Sequence, residues 1–461
     1  MGVQPGLGKK GKMIVLLLAK FFLGLAIVVL TLYAIRHYVF ALCRLALRRP
    51  RDFMELTGFA LPRTTVLVPM HNEEAVAADI LQALVECDYD RTRLEVLAID
   101  DNSEDRTGAI IDDYAARFSI VKAIHRHQGA GGKAAALEEA TRQATGEVLL
   151  LFDADYFPGP SMVKQLVAPF CDPQVGAVMG RVVPHNTDKT MLAALLGLER
   201  AAGYQVGQQA RYNLGLTPQF GGTVGGVRTS ALNSVKGWNT ESLTEDTDLT
   251  FRLVLHGWKV AYVNRAECYE EVPESWPARE TQIARWATGH TDCLHRLWPS
   301  LLRSPSLSLT EKVDAMFVLC CYLTAPVLIL GWLASLILFF SPQMHSVPIL
   351  SVALLFVGYQ IFGNQATFFE LGIAALLDGM NRRVLLMPCN LFNFFASTSA
   401  ISKALLRFYF GKIWGSGGPP WAKTRRFRTN GKERPFASGS SAPKLFSQGA
   451  NGIYTYSRSG D

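Results

Sequence analysis

The sequence predicts an α/β domain of alternating strands and helices, held at a membrane by hydrophobic helices on both sides. Three observations predict it. Hydrophobic residues make up 49% of the 461 positions and charged residues only 18%, which is too apolar for an ordinary soluble protein. The apolar residues concentrate at 13–43 and again beyond 315. Between them, from residue 64, short strand-like runs alternate with amphipathic stretches, the pattern of a parallel sheet covered on both faces.

The run at 13–43 is broken only by Lys20 before Arg36. About 20 helical residues cross a hydrocarbon core, so one transmembrane helix is expected there. It is too long for a secretory signal and no small-residue cleavage site follows, so it is expected to remain on the chain. The resulting division is an anchor with its flanks (1–51), a cytosolic domain (52–300), C-terminal interfacial and transmembrane helices (301–411) and a basic cytosolic tail (412–461).

Hydrophobic stretches follow the domain at 315–340, 347–377 and 384–410. The middle one carries Gln360, Asn364, Gln365 and Glu370, which are costly in lipid and are expected to face other helices or a polar cavity. Arg36, Arg44, Arg48, Arg49 and Arg51 outnumber Lys9, Lys10 and Lys12 across the first span, which places the central domain in the cytoplasm. Lys423, Arg425, Arg426, Arg428, Lys432 and Arg434 place the tail there too. Three full spans after the domain would put the tail outside, so one stretch is re-entrant or interfacial, or 347–377 is not a single span. The expected location is the plasma or inner membrane, multi-pass, with the domain cytoplasmic.

The net charge of +7 sits at the membrane flanks, without a basic helix interleaved with aromatics. This excludes nucleic acid as a partner and points to lipid headgroups and anionic sugar nucleotides. The eight cysteines show no CxxC or Cys/His spacing and read as reduced thiols, not as a disulfide framework or a zinc site. From about residue 436 the chain is rich in Ser and Gly and is expected to be disordered.

Within the domain the expected strands are 64–68, 94–99, 120–124 and 147–152, with helices over 73–87 and 133–144. In parallel sheets ligands sit at the carboxyl ends of the strands, and each chemically suggestive cluster falls just after a strand. The first strand runs into Pro69, His71, Asn72, Glu73 and Glu74, and the second into Asp100 and Asp101. Such residues are common turn formers, but carboxylates at adjacent strand ends also suit a base and ribose. The third leads to a Gly-rich loop (129–133) ending in Lys133. That loop lacks the spacing of a Walker or dinucleotide fingerprint, so phosphate cradling is a weak reading by itself.

The fourth strand delivers Asp153 and Asp155 directly into a loop. Two carboxylates at i and i+2 after a buried strand would repel if unpaired. A divalent cation, Mg²⁺ or Mn²⁺, explains them, because it takes one or two carboxylates and completes its shell with water and phosphate. A solvated loop pair is the alternative. Further on, Thr244, Glu245, Asp246 and Asp248 begin an amphipathic helix, where acidic residues are also ordinary capping. Gln282, Arg285 and Trp286 share one helical face, a set suited to gripping a diphosphate and stacking a sugar.

Together these motifs resemble the family 2 glycosyltransferases, specifically the membrane synthases typified by cellulose, chitin and hyaluronan synthases. The match comprises Asp100-Asp101, Asp153-x-Asp155, Thr244-Glu245-Asp246 and Gln282-x-x-Arg285-Trp286, in order, over roughly residues 62–300. The resemblance implies a GT-A-type fold, a Rossmann-like mixed sheet, and an inverting reaction from a UDP- or GDP-sugar donor. It implies that Pro69, Asn72, Glu73, Asp100, Asp101, Lys133, Asp153 and Arg285 contact the donor, and that Asp153 and Asp155 hold the metal. Asp246, with Thr244 and Glu245, would supply the base that deprotonates the acceptor. Metal and Arg285 would meet charge on the leaving diphosphate. Gly222, Thr223, Gln282 and Trp286 would form the acceptor side, Gly222 lying in a segment (220–232) similar to the family's acceptor loop. Trp421, Lys423, Thr424 and Arg425 resemble the family's mobile gating loop, or else form a juxtamembrane basic anchor.

The leading expectation is a processive polysaccharide synthase extruding a β-linked glycan. One alternative is transfer of a single sugar to a membrane lipid, which the small helix count keeps open unless the chain forms a homo-oligomer or uses an export partner. Another is an inactive scaffold or transporter, against which the intact Asp155, Asp246 and Arg285 speak.

Overall fold

The computed structural model describes residues 9–47, 61–127, 132–341, 365–414, 447–448 and 454–455. The first helix, α1 (Lys9–Ala46), leads into an eight-stranded sheet. Its first half alternates regularly: β1 (Thr64–Met70), α2 (Ala77–Val85), β2 (Leu94–Asp101), α3 (Thr107–Arg117), β3 (Val121–Arg126), α4 (Lys133–Gln143) and β4 (Val148–Leu151). These strands pair in parallel in the order β3-β2-β1-β4.

Alternate side chains of β1 enter opposite cores. Val66, Val68 and Met70 pack on one face with Ile80 and Leu84. Leu67 packs on the other with Leu97, Leu149 and Leu137. Helices on both faces are the reason these strands read as continuous apolar runs.

The second half departs from the all-parallel expectation, and the sheet is mixed. It comprises β5 (Phe157–Pro158), α5 (Met162–Val167), β6 (Val175–Pro184), α6 (Met191–Ala201), a π-helical segment (Ala202–Gln208), α7 (Gln209–Asn213), β7 (Gly225–Arg228), α8 (Thr229–Ser234), α9 (Glu245–Leu255) and β8 (Lys259–Glu270). Strand β7 runs antiparallel between β4 and β6, while β8 pairs parallel with β6 and antiparallel with β5. Gly225 allows this insertion, because a Cβ there would lie 2.5 Å from the Val178 carbonyl oxygen.

After the sheet come α10 (Trp276–Arg303), α11 (Leu309–Leu319), α12 (Thr324–Phe339), α13 (Gln365–Leu377) and α14 (Asn390–Trp414). Three described segments are long and apolar enough to cross a membrane: Lys10–Ala46, Cys321–Phe339 and Arg382–Gly411. Along α1, Leu17, Phe21 and Ile35 are exposed, as suits contact with lipid. Ala19 meets Ala334 and Leu338 of α12, and Phe40, Ala41 and Cys43 join α1 to α6 and α13.

The stretch expected at 315–340 is divided. Its beginning lies in α11, whose N-terminus is a capping box at Ser308 and Glu311 and whose Asp314 is buried among Arg36 and Arg211. Of 347–377, the described part is α13, which reaches only roughly 20 Å at 1.5 Å per residue, short of a hydrocarbon core. Its Glu370 is buried against His37 of α1, as expected of an inward-facing polar side chain, whereas Gln365, at the first position of the helix, is exposed. Gln360, Asn364 and the residues Trp421, Lys423, Thr424 and Arg425 lie outside the described residues.

Candidate active site

The carboxyl ends of β1, β2 and β4 open into a cavity of about 630 Å³. Its sheet side is lined by Pro69, Glu73, Asp101, Lys133, Asp153 and Asp155; Thr223, Glu245, Asp246, Gln282, Arg285 and Trp286 line it from the loops and helices opposite. Residues separated by more than 200 positions thus share one chamber.

Of the described candidates, Asn72, Asp100 and Gly222 do not line it. Asp100 accepts a hydrogen bond from the Ser103 backbone N–H (3.0 Å) and lies 3.2 Å from His125 Nδ1. Asn72, at a φ of 54°, accepts from the Glu104 N–H at 2.8 Å. The Asn72 side chain ties the turn after β1 to the turn after β2, and the Asp100 side chain holds the turn after β2 and reaches β3. Asp101 does line the cavity, with both carboxylate oxygens engaged. Oδ2 accepts the Gly132 N–H at 2.9 Å and Oδ1 pairs with Arg126.

At the end of β4, the Asp153 N–H donates to Thr223 Oγ1 at 3.1 Å, which joins the acidic turn to the glycine loop before β7. Lys133, the first residue of α4, places Nζ 2.6 Å from Asp153 Oδ1 and 3.8 Å from Glu245 Oε1. Asp155 is buried. Beside it, Tyr156 donates to Glu270 at 2.9 Å and Arg200 Nε to the same carboxylate at 2.6 Å. Among the described residues no group of three or more His, Cys, Asp or Glu forms a complete cation cage.

Glu245 and Asp246 occupy the first turn of α9. The Thr247 N–H donates to Asp246 Oδ1 at 2.6 Å. Gly222, at a φ of 69°, lies against both acids: a Cβ there would come within 3.0 Å of Asp246 Cβ and 3.2 Å of Glu245 Oε1. Burial pushes the Glu245 carboxyl up to about 7, with Lys133 opposing and the Asp246 charge adding to it. Burial pulls Lys133 down, but the carboxylates of Asp153 and Glu245 more than offset this and hold it above the ordinary lysine value. Burial lowers the His290 imidazole, opposed by Asp246.

Helix α10 supplies the opposite wall, and Gly289 lets it approach. A Cβ at that position would lie 2.4 Å from Thr244 Cγ2. Arg279 donates to Gln282 Oε1 at 3.0 Å and pairs with Glu199 of α6 at 2.7 Å. The Glu199 carboxylate, raised by burial but pulled back by Arg279 and Arg200, ends below its ordinary value. The guanidinium carbons of Arg200 and Arg279 lie 5.1 and 5.6 Å from the Trp286 ring centroid. The buried Arg285 Nε has no hydrogen-bond partner among the described residues. Such a guanidinium facing a cavity suits an anionic ligand.

Several lining residues were not anticipated from the sequence: Tyr33 and Arg36 of α1, Glu199 and Arg200 of α6, and Tyr204 of the π-helical segment. A charged pair inside the apolar run of α6, and an arginine in a helix apolar enough to cross a membrane, are the signals that could have marked them.

Comparisons with known proteins agree with this geometry. The family described as "Glycosyltransferase like family 2" matches residues 62–289. The chain is 34% identical over 233 residues to "Probable glycosyltransferase YdaM" of Bacillus subtilis, covering 50% of this chain and 56% of that protein. It is 35% identical over 274 residues to "Beta-monoglucosyldiacylglycerol synthase" of Synechocystis sp., covering 58% and 57% respectively. The matches thus span little more than half the length of these relatives. Among solved structures, "Mannosyltransferase PcManGT from Pyrobaculum calidifontis in complex with GDP-Man and Mn2+" superposes with a TM-score of 0.56 at 22% identity, covering 78% of this chain and 98% of that one. Residues 62–289 are therefore a family 2 glycosyltransferase domain, built on a GT-A-like mixed α/β sheet.

Proposed function

We propose that the chain is an inverting glycosyltransferase that moves a sugar from a nucleoside-diphosphate donor onto a hydroxyl of a membrane lipid. One observation carries this reading. The chamber that gathers Asp153, Asp155, Asp246 and Arg285, whose Nε lacks a partner among the described residues, also reaches Tyr33 and Arg36 of α1, Phe317 of α11 and Tyr322 just before α12. A donor can enter from the sheet side and an acceptor from the lipid side.

Asp153 and Asp155 fit a divalent cation: two hard oxygen ligands on one turn, with room for phosphate to complete the shell. A Mg²⁺ or Mn²⁺ held there supplies positive charge against the diphosphate. The protein's own residues do the rest. Asp246 takes the proton of the attacking hydroxyl, Oδ1 being steadied by the Thr247 N–H. Arg285 meets the charge that builds on the departing diphosphate. Pro69, Glu73 and Asp101 border the donor's nucleoside, with Asn72 and Asp100 shaping that border from behind. Thr223, Gln282 and Trp286 border the acceptor, with Gly222 packed behind Glu245 and Asp246.

The lipid acceptor is favoured by the likeness to the relative named "Beta-monoglucosyldiacylglycerol synthase" and by the lining contributed by α1. A processive polysaccharide synthase is the second reading, favoured by Gln282, Arg285 and Trp286 standing together on α10. Full-length protein in lipid vesicles, given labelled UDP- and GDP-sugars with Mn²⁺, separates the two. A single-sugar, lipid-extractable product supports the first, and a ladder of longer products the second. No transfer with any donor would favour an inactive scaffold.

A further inference from the structure

A cation of the protein's own already rests on one of the proposed metal carboxylates. Lys133 Nζ stands 2.6 Å from Asp153 Oδ1 and 3.8 Å from Glu245 Oε1. Local structure does not favour an ammonium there. Lys133 opens α4, where the helix presents its positive end and a cation is disfavoured. The chain reaches it through Gly132 at a φ of 114°, and the side chain is only 22% exposed. What holds the ammonium is the negative charge of Asp153 and Glu245, with a smaller contribution from Asp246.

We propose that Lys133 is a resident counter-ion of Asp153 that a divalent cation has to displace, so that metal and nucleoside diphosphate bind together and each binds weakly without the other. This rests on the reading of Asp153 and Asp155 as metal ligands. A bare divalent cation evicts the ammonium from Asp153 and offers it nothing in return. A cation arriving with a diphosphate brings anionic oxygens to which the ammonium can transfer, and the flexible four-carbon stem of lysine permits the move. Glu245 Oε1, already within 3.8 Å, is the intermediate resting point. Lys133 therefore sets the coupling between the two ligands, and such coupling is reciprocal.

The test is Mn²⁺ binding, read from the electron paramagnetic resonance signal of free Mn²⁺. It uses full-length protein without a metal-binding tag, alone and with UDP or GDP. Wild type is expected to bind Mn²⁺ at least about tenfold more tightly with the nucleotide than without it. Lys133→Met, and independently Lys133→Gln, are expected to bind Mn²⁺ about tenfold more tightly than wild type without nucleotide, the scale on which a neighbouring opposite charge shifts a carboxylate. Lys133→Arg keeps the charge and should stay near wild type. Asp155→Asn separates the two ideas. If it binds Mn²⁺ as wild type does, the metal reading itself fails. If it loses Mn²⁺ while both neutral Lys133 variants bind Mn²⁺ no better than wild type, the counter-ion proposal alone is overturned.

Discussion

At the residue scale, the proposed chemistry divides among side chains whose surroundings differ. Asp246 accepts a single backbone hydrogen bond and faces the glycine loop. Its replacement by Asn keeps that shape and removes the base. We expect Asp246→Asn to lower kcat by about 10²- to 10⁴-fold, the usual worth of general-base catalysis, with donor affinity unchanged in a nucleotide-binding measurement. Arg285→Ala removes a guanidinium without partners of its own among the described residues, so little structure depends on it. A loss in kcat of about 10²- to 10³-fold at unaltered melting temperature is expected.

Glu245 predicts a pH effect. Its carboxyl is raised from the ordinary 4.5 to about 7, so the folded state holds a proton that the unfolded chain releases earlier. The stability this contributes is fully present below pH 4.5 and is lost as pH rises through about 7. Glu245→Gln should flatten the fall in melting temperature across that window, and an unchanged slope would contradict the assignment. That Asp153, Asp155, Arg285 and Trp286 line one cavity fits their reading as a carboxylate pair after a buried strand and a shared helical face, whereas Asp246 alone looked like ordinary helix capping. Asp100 and Asn72 were harder to read. Turn-forming and ligand-binding carboxylates look alike in one dimension, and only their hydrogen bonds to Ser103 and Glu104 separate them.

At the element scale, the site depends on two close approaches. Helix α10 comes so near the start of α9 that Gly289 has no room for a Cβ against Thr244. Gly289→Val forces the walls of the cavity apart. We expect a loss of about 1–3 kcal/mol in stability, typical of overpacking, and a drop in activity larger than the lost folded fraction explains, measured by calorimetry and transfer assay in parallel. The parallel half, from β1 to β4, was readable from its alternation of apolar strands and amphipathic helices. The second half was not. Strand β7 is the short, glycine-rich Gly225–Arg228, which resembles a loop, and its antiparallel insertion is enforced by close backbone packing that no periodicity reveals. The π-helical segment bearing Tyr204 is likewise invisible to a 3.6-residue pattern.

At the scale of the whole molecule, the described helices bear on the side of the membrane at which the tail emerges. Among the described residues, Cys321–Phe339 and Arg382–Gly411 are the candidate spans after the domain, and the described α13 is shorter than a span. If these two are the crossings, the chain returns to the side of the domain, as the basic residues of the tail favour. Labels placed at residue 461 and on the exposed Glu241 loop are therefore expected to react from the same face of sealed vesicles, and opposite accessibility would refute this topology. The sequence leaves the parity open, because hydropathy alone does not say whether 347–377, which carries the buried Glu370, crosses the membrane. Contacts of α1 with α12, α7 and α13 make the membrane helices part of the chamber wall.

The most direct measurement is sugar transfer by the full-length protein in vesicles, with labelled UDP- and GDP-sugars and Mn²⁺, comparing wild type with Asp246→Asn. The account predicts one donor giving a labelled lipid with wild type and almost none with the variant, while both still bind the nucleotide. Equal product from the two proteins, or none from wild type with any donor, would contradict it.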